Sequence, residues 1–70
     1  MQRINVVSSN IKSIGYNEDN FTLEIEFNDN SIYQYINVPK NEYESIMNSN
    51  SHGKYLNENI KGVYQFNQIK

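Results

Sequence analysis

From Phe21 to Phe27 the chain alternates without a break: Phe21, Leu23, Ile25 and Phe27 are apolar, and Thr22, Glu24 and Glu26 are polar. A period of two sends the apolar side chains to one face of an extended strand and the polar ones to the other. The pattern predicts a half-buried antiparallel strand whose Glu24 and Glu26 face water. Asn28-Asp29-Asn30 follows as a turn, and Ile32-Tyr33-Gln34-Tyr35-Ile36-Asn37-Val38-Pro39 reads as a second strand running into a helix.

The length of that turn decides where Tyr33 and Tyr35 point, because a one-residue slip in register flips every side chain to the other face. A three-residue loop with Asn30 in the left-handed conformation pairs Phe27 with Ser31. It places Tyr33 opposite Ile25 and Tyr35 opposite Leu23, on the apolar face. A two-residue loop at Asp29-Asn30 would instead expose both tyrosines beside Glu24 and Glu26. The longer loop is favoured: Asn tolerates the left-handed region, and Asp-Asn suits the shorter hairpin less well than Asp-Gly would.

The rest of the chain falls around this hairpin. Residues 1–7 read as an arm or a short edge strand. Ile11-Lys12-Ser13-Ile14-Gly15-Tyr16 reads as the first strand of the meander. Ile11 and Ile14 do not share a period of two, so a bulge is expected, which Gly15 could accommodate. Asn17-Glu18-Asp19-Asn20 is a turn. Pro39 suits the first position of a helix reaching Asn48, with Tyr43, Ile46 and Met47 on one stripe. Ser51 is a candidate cap for a short helical turn over Gly53–Asn59, with Tyr55, Leu56 and Ile60 inward. Gly62 ends that turn, and Val63–Ile69 reads as a last strand. The expectation is a single α+β domain over residues 1–70. A small antiparallel sheet of three to four strands packs on one helix plus a short helical turn, in the order β-β-β-α-α-β.

Composition limits what such a domain can do. With 70 residues, no cysteine and one histidine, the core must come from aliphatic residues, six Tyr and three Phe. Disulfides, Cys-based zinc sites and His-rich metal sites are excluded. Asp19 and Asp29 lie in turns that lack calcium-loop spacing and its terminal Glu. No apolar run approaches the roughly 18 residues of a membrane helix, and the first seven residues are too polar for a signal peptide. A cytoplasmic protein with no cofactor, no metal and no membrane contact is therefore expected. The net charge of −2 lacks the basic excess common in nucleic-acid binders.

Two clusters carry candidate chemistry. Tyr33 and Tyr35 could stack on unpaired bases, although core-rim packing against Tyr43 and Met47 is the favoured reading. Ser51-His52-Gly53-Lys54, with Lys61 further on, could hold a phosphate or carboxylate, although a helix cap with a glycine turn explains the same residues more simply. Ser51 and His52 adjoin in sequence and no acidic residue is placed to orient the imidazole, so a nucleophilic triad is not expected. No catalytic residue is assigned. The ligand or nucleic-acid set is Tyr33, Tyr35, Ser51, His52, Gly53, Lys54, Lys61 and Tyr64.

Ser8-Ser9, Gly15-Tyr16, Leu23-x-Ile25-x-Phe27, Tyr33-x-Tyr35-x-x-Val38-Pro39 and Tyr43 occur in order. Ser51-x-Gly53-x-Tyr55-Leu56-Asn57-x-x-Ile60-Lys61 and Tyr64 follow. Over about residues 8–66 this pattern resembles the KTSC domain family, a short module named for the C-terminus of some bacterial lysyl-tRNA synthetases and also found alone in bacteria and their phages. The resemblance implies a small non-enzymatic binding module that takes RNA or a nucleotide. The alternative is a protein-interaction module, phage- or bacterium-encoded, that binds a host factor or self-associates through a strand edge. Two positions depart from the family pattern. Asn30 stands where Gly is usual, and Lys61 stands where Arg is frequent, which removes a planar bidentate fork.

Overall fold

In the computed structural model, which describes residues 1–70, the chain forms a five-stranded antiparallel sheet with a helical pair on one face. The strands are β1 (Arg3–Asn5), β2 (Ile11–Asn17), β3 (Thr22–Phe27), β4 (Ile32–Tyr35) and β5 (Phe66–Gln68), and they lie in chain order across the sheet. Helix α1 (Lys40–Asn48) and helix α2 (His52–Tyr55) separate β4 from β5. Helix α2 runs on as a π-helical turn over Leu56–Ile60, in which the Lys61 N–H reaches back five residues to the Leu56 carbonyl at 2.8 Å. The α+β class matches the sequence expectation, but the strand count is five rather than three to four. The N-terminal residues pair with β2 as a real edge strand, and the C-terminal strand closes on β4.

The hairpin between β3 and β4 takes the three-residue loop. Phe27 N–H donates to Ser31 O at 2.9 Å and Asn30 sits at φ 72°. Leu23 therefore opposes Tyr35, and Ile25 opposes Tyr33. The expected bulge occurs at Ile11–Ser13 rather than at Gly15. It lets Ile11 and Ile14 both reach the core despite their odd spacing. That core joins Ile11, Ile14, Leu23, Ile25, Tyr35 and Val38 of the sheet side to Ile46, Leu56 and Ile60 of the helices.

Several boundaries differ from the expectation. Phe21 lies outside β3, at φ 56° and 53% exposed, because the turn from β2 ends on it. Its carbonyl instead accepts the Val38 N–H at 2.8 Å. Pro39 is the residue before the helix, extended at ψ 154°, rather than its first turn. The last strand is three residues long, since Val63 and Tyr64 are still turning back from Ile60. Tyr43 stacks on Tyr16 at 5.2 Å rather than on the β4 tyrosines, and the Tyr16 hydroxyl donates to Val38 O at 2.6 Å.

The largest correction concerns Glu24 and Glu26. Glu24 is 5% exposed, not a solvating charge. Arg3, carried over the sheet by β1, pairs with the Glu24 carboxylate and lies 3.6 Å from Glu26. Arg3 Nε also donates to Ser13 Oγ at 2.9 Å, Ser13 Oγ donates to Glu26 at 2.9 Å, and Gln34 Nε2 donates to Glu24 at 2.8 Å. Gly15 makes this arrangement possible. A Cβ there would fall 2.7 Å from Gln2 O and 2.9 Å from Arg3 Cγ, closer than real contacts allow. Burial disfavours the ionised form of Glu24, but the hydrogen bonds from Gln34 and Arg3 and the charge of Arg3 outweigh it. The carboxyl is held below its ordinary range.

Candidate functional site

The register of the hairpin places a row of rings on the helix-facing side of β3, β4 and β5. Phe27 meets Tyr33 edge-on at 5.4 Å. Tyr33 stacks on Phe66 at 5.2 Å with the planes 25° apart. Tyr35 lies 5.7 Å from Phe66 and 6.5 Å from Tyr33. Exposure grades along the row: Tyr35 is 2% exposed, Tyr33 is half-buried, and Phe66 is 52% exposed. Burial, with the neighbouring Tyr33 adding to it, raises the Tyr35 phenol above its ordinary value, so this hydroxyl stays protonated.

These rings floor a groove of about 610 Å³. Its helical wall is Gly53, Leu56, Asn57 and Lys61, and its far end is closed by the Ser9–Asn10 and Asn28–Ser31 loops. The volume lies in the range of small-ligand sites. The π-helical turn widens the helix where Leu56, Asn57 and Lys61 project, and such turns recur at functional positions. The loops are fixed rather than slack. Asn28 Nδ2 donates to Ser8 O at 3.2 Å and to Ser9 O at 2.9 Å, and Ser8 Oγ accepts the N–H groups of Asn10 and Ile11 at 3.3 Å.

A second, polar groove of about 530 Å³ adjoins the first, between residues 7–10 and the start of α2. Ser51, His52, Gly53, Lys54, Asn57 and Glu58 form its helical side. The eight residues singled out in sequence thus divide four ways. Tyr33, Tyr35 and Lys61 line the aromatic groove; Ser51, His52 and Lys54 line the polar groove; Gly53 lines both. Tyr64 belongs to neither. Its hydroxyl donates to Glu42 at 3.0 Å, and the Tyr55 hydroxyl donates to the same carboxylate. Glu42 thereby ties α1 to α2 and to the segment before β5.

Two of these residues have structural roles as well. Ser51 caps α2, its Oγ accepting the Lys54 N–H at 3.3 Å. His52 Nδ1 lies 2.8 Å from the Ile46 carbonyl. A carbonyl only accepts, so Nδ1 donates in this contact. Lys54 and Lys61 do not meet in one groove. Neither is paired, since the ion pairs of the molecule use Arg3 and Lys40.

Sequence reasoning missed Phe27, Phe66, Asn10, Asn28 and Asn57 as groove residues. Phe27 was legible in principle, since the three-residue loop puts it on the tyrosine face. Phe66 was not, because its place opposite Tyr35 depends on the pairing of β5 with β4.

Comparison with known proteins agrees with this architecture. The KTSC domain family model matches residues 7–64. The crystal structure of a KTSC domain protein from Yersinia pestis superposes with a TM-score of 0.96 at 40% identity, covering 99% of this chain and 97% of that one. A lysine–tRNA ligase of Nostoc punctiforme is 39% identical over 59 residues, which is 84% of this chain. An uncharacterised protein of Stutzerimonas stutzeri is 31% identical over 61 residues, covering 87% of this chain and 86% of its own length. The chain spans about 10% of the length of the ligase it matches, against nearly all of the Stutzerimonas protein. The chain belongs to the KTSC domain family.

Proposed function

We propose that this domain is a non-enzymatic module of the cytoplasm that binds single-stranded RNA by taking an unpaired base into the aromatic groove. The observation that carries this reading is the stacked pair Tyr33–Phe66, whose outer ring is half exposed. A base can add to that stack from the solvent side. Stacking needs only a π-face and so tolerates any base. Around it stand side chains with spare hydrogen-bonding capacity, Ser9, Asn10 and Asn57, and the unpaired cation Lys61. Asp29, the acidic residue of this groove, is turned onto Ser31, accepting its N–H at 3.0 Å and its hydroxyl at 2.6 Å. Glu24 and Glu26, which would repel a phosphate backbone, sit on the opposite face of the sheet and are matched by Arg3. The similarity to lysine–tRNA ligases, proteins whose name places them on tRNA, supports RNA as the ligand class.

Titration of single-stranded adenylate RNA into isotope-labelled protein, followed by amide shifts at low and physiological salt, tests the proposal. Shifts are expected at Tyr33, Phe66, Gly53 and Asn57. Phe66→Ala should weaken binding about 5- to 150-fold, the equivalent of roughly 1–3 kcal/mol for one stacked base. Absence of binding at both salt concentrations removes the proposal.

A second reading is a protein-interaction module working through a sheet edge. It is favoured by Ile4 on β1 and Phe66 on β5, which are 54% and 52% exposed on the two outer strands. Light scattering that finds a dimer at micromolar concentration would favour it over RNA binding, and a strict monomer would count against self-association.

A further inference from the structure

We infer that the aromatic groove is one half of a two-nucleotide site, and that the polar groove beside it holds the second nucleotide; this rests on the base-binding reading above. Four residues, Ser9, Asn10, Gly53 and Asn57, line both grooves, so the two are continuous along one wall. Gly53 stands at the junction. It is helical, where glycine is the poorest former after proline, and its backbone lies outside the left-handed region that would call for glycine. Packing does not require it either. A Cβ there would meet Asn10 Nδ2 at 3.5 Å and Ser8 Oγ at 3.9 Å, ordinary contact distances. What the missing side chain does is keep the passage between α2 and the Ser8–Asn10 loop open.

The two halves differ in what they offer. The first has rings and takes a base by stacking. The second is lined by Val7 and otherwise by polar side chains, so it holds its nucleotide by hydrogen bonds and charge. Each half contributes one unpaired lysine, Lys61 in the first and Lys54 in the second, which suits a ligand carrying one phosphate per unit. Glu58 is the acidic side chain of the second groove and limits its affinity. The side-chain amides of Asn10 and Asn57 stand at the junction, within reach of a base edge or a ribose hydroxyl. A 2′-hydroxyl both donates and accepts, so an amide at this position favours RNA over DNA.

A length series tests the inference on the whole protein. The probes are adenosine 5′-monophosphate and 5′-phosphorylated adenylate RNAs of two, three and four nucleotides, with affinities measured by amide shifts. Affinity should rise about tenfold or more from one nucleotide to two, and by less than about threefold for each further unit. Gly53→Leu should bring the ratio of dinucleotide to mononucleotide affinity close to one. Lys54→Ala, an exposed substitution that leaves the core untouched, should lower that ratio several-fold. It should also reduce the salt slope of dinucleotide binding by about 0.7, the share of one single-strand phosphate contact. Phe66→Ala should weaken both ligands in proportion. Equal affinity for one and two nucleotides overturns the two-nucleotide site while leaving the base-binding groove standing. A steady gain through four nucleotides overturns it in favour of a longer track. If no member of the series binds, both the site and the reading beneath it fall.

Discussion

On the helix-facing side of the sheet, Ile14, Leu23, Ile25 and Tyr35 are sealed against α1 and α2. On the other side, Arg3, Ser13, Glu24, Glu26 and Gln34 form a hydrogen-bonded ionic network. The same sheet therefore stabilises its two faces by different physics. The first face depends on close packing, where any lost volume leaves a cavity. The second depends on mutual satisfaction, where the penalty arises when one partner is removed and the other stays buried. The groove lies on the packed face between the sheet and the Gly53–Lys61 segment, where the rings of Phe27, Tyr33, Tyr35 and Phe66 replace aliphatic side chains.

The contrast can be broken most severely from the packed side. Ile25→Ala, at a fully buried position, should cost about 3–4 kcal/mol. That approaches the whole stability of roughly 3–5 kcal/mol that a core of this size supplies. Circular dichroism should then find the variant largely unfolded at room temperature. On the ionic side, Arg3→Met should lower stability by about 2 kcal/mol, because Glu24 is left buried without its cation. Adding Glu24→Gln should recover at least half of that loss in urea denaturation. A core cavity has no such rescue, so failure of the double variant to recover would erase the distinction between the faces.

Acid separates the two faces without mutation. The Glu24 carboxyl is held below its unfolded value of 4.5. Its contribution is therefore fully present above that value and disappears as pH falls through the lower folded value. The urea midpoint of the wild type should decline as pH falls below 4.5, and Arg3→Met should flatten that limb. A decline of equal depth in both proteins would assign the acid sensitivity elsewhere. The smallest effect lies in the hairpin that sets which face the tyrosines join. Asn30→Ala, forced to φ 72°, should cost about 1 kcal/mol. Asn30→Gly should hold or slightly raise the thermal midpoint, because glycine adopts this conformation freely.

Much of this was legible in the residues themselves. The alternation from Leu23 to Phe27 located β3, and the left-handed tolerance of Asn30 selected the loop that turned Tyr33 and Tyr35 inward. Ser51 was readable as a cap because its chemistry is local. The order and spacing of the motifs alone point to the KTSC family. Glu24 was misread for a specific reason. Strand periodicity says which face a residue occupies, not what comes to cover that face. The cover here is Arg3, ten residues from Ser13 and twenty-one from Glu24 along the chain. The groove was half legible: Gly53, Lys61 and the two tyrosines were named, but Phe66 joins them only through the closure of β5 onto β4.

The sequence by itself thus determined the α+β class, the hairpin register and the family, because each follows from interactions between residues close in the chain or from their order. Tertiary structure alone decided the fifth strand, the ionic face and the division of the candidate residues between two joined grooves. Those depend on which distant segments meet, and on a glycine at position 53 whose role is visible only in the space it leaves.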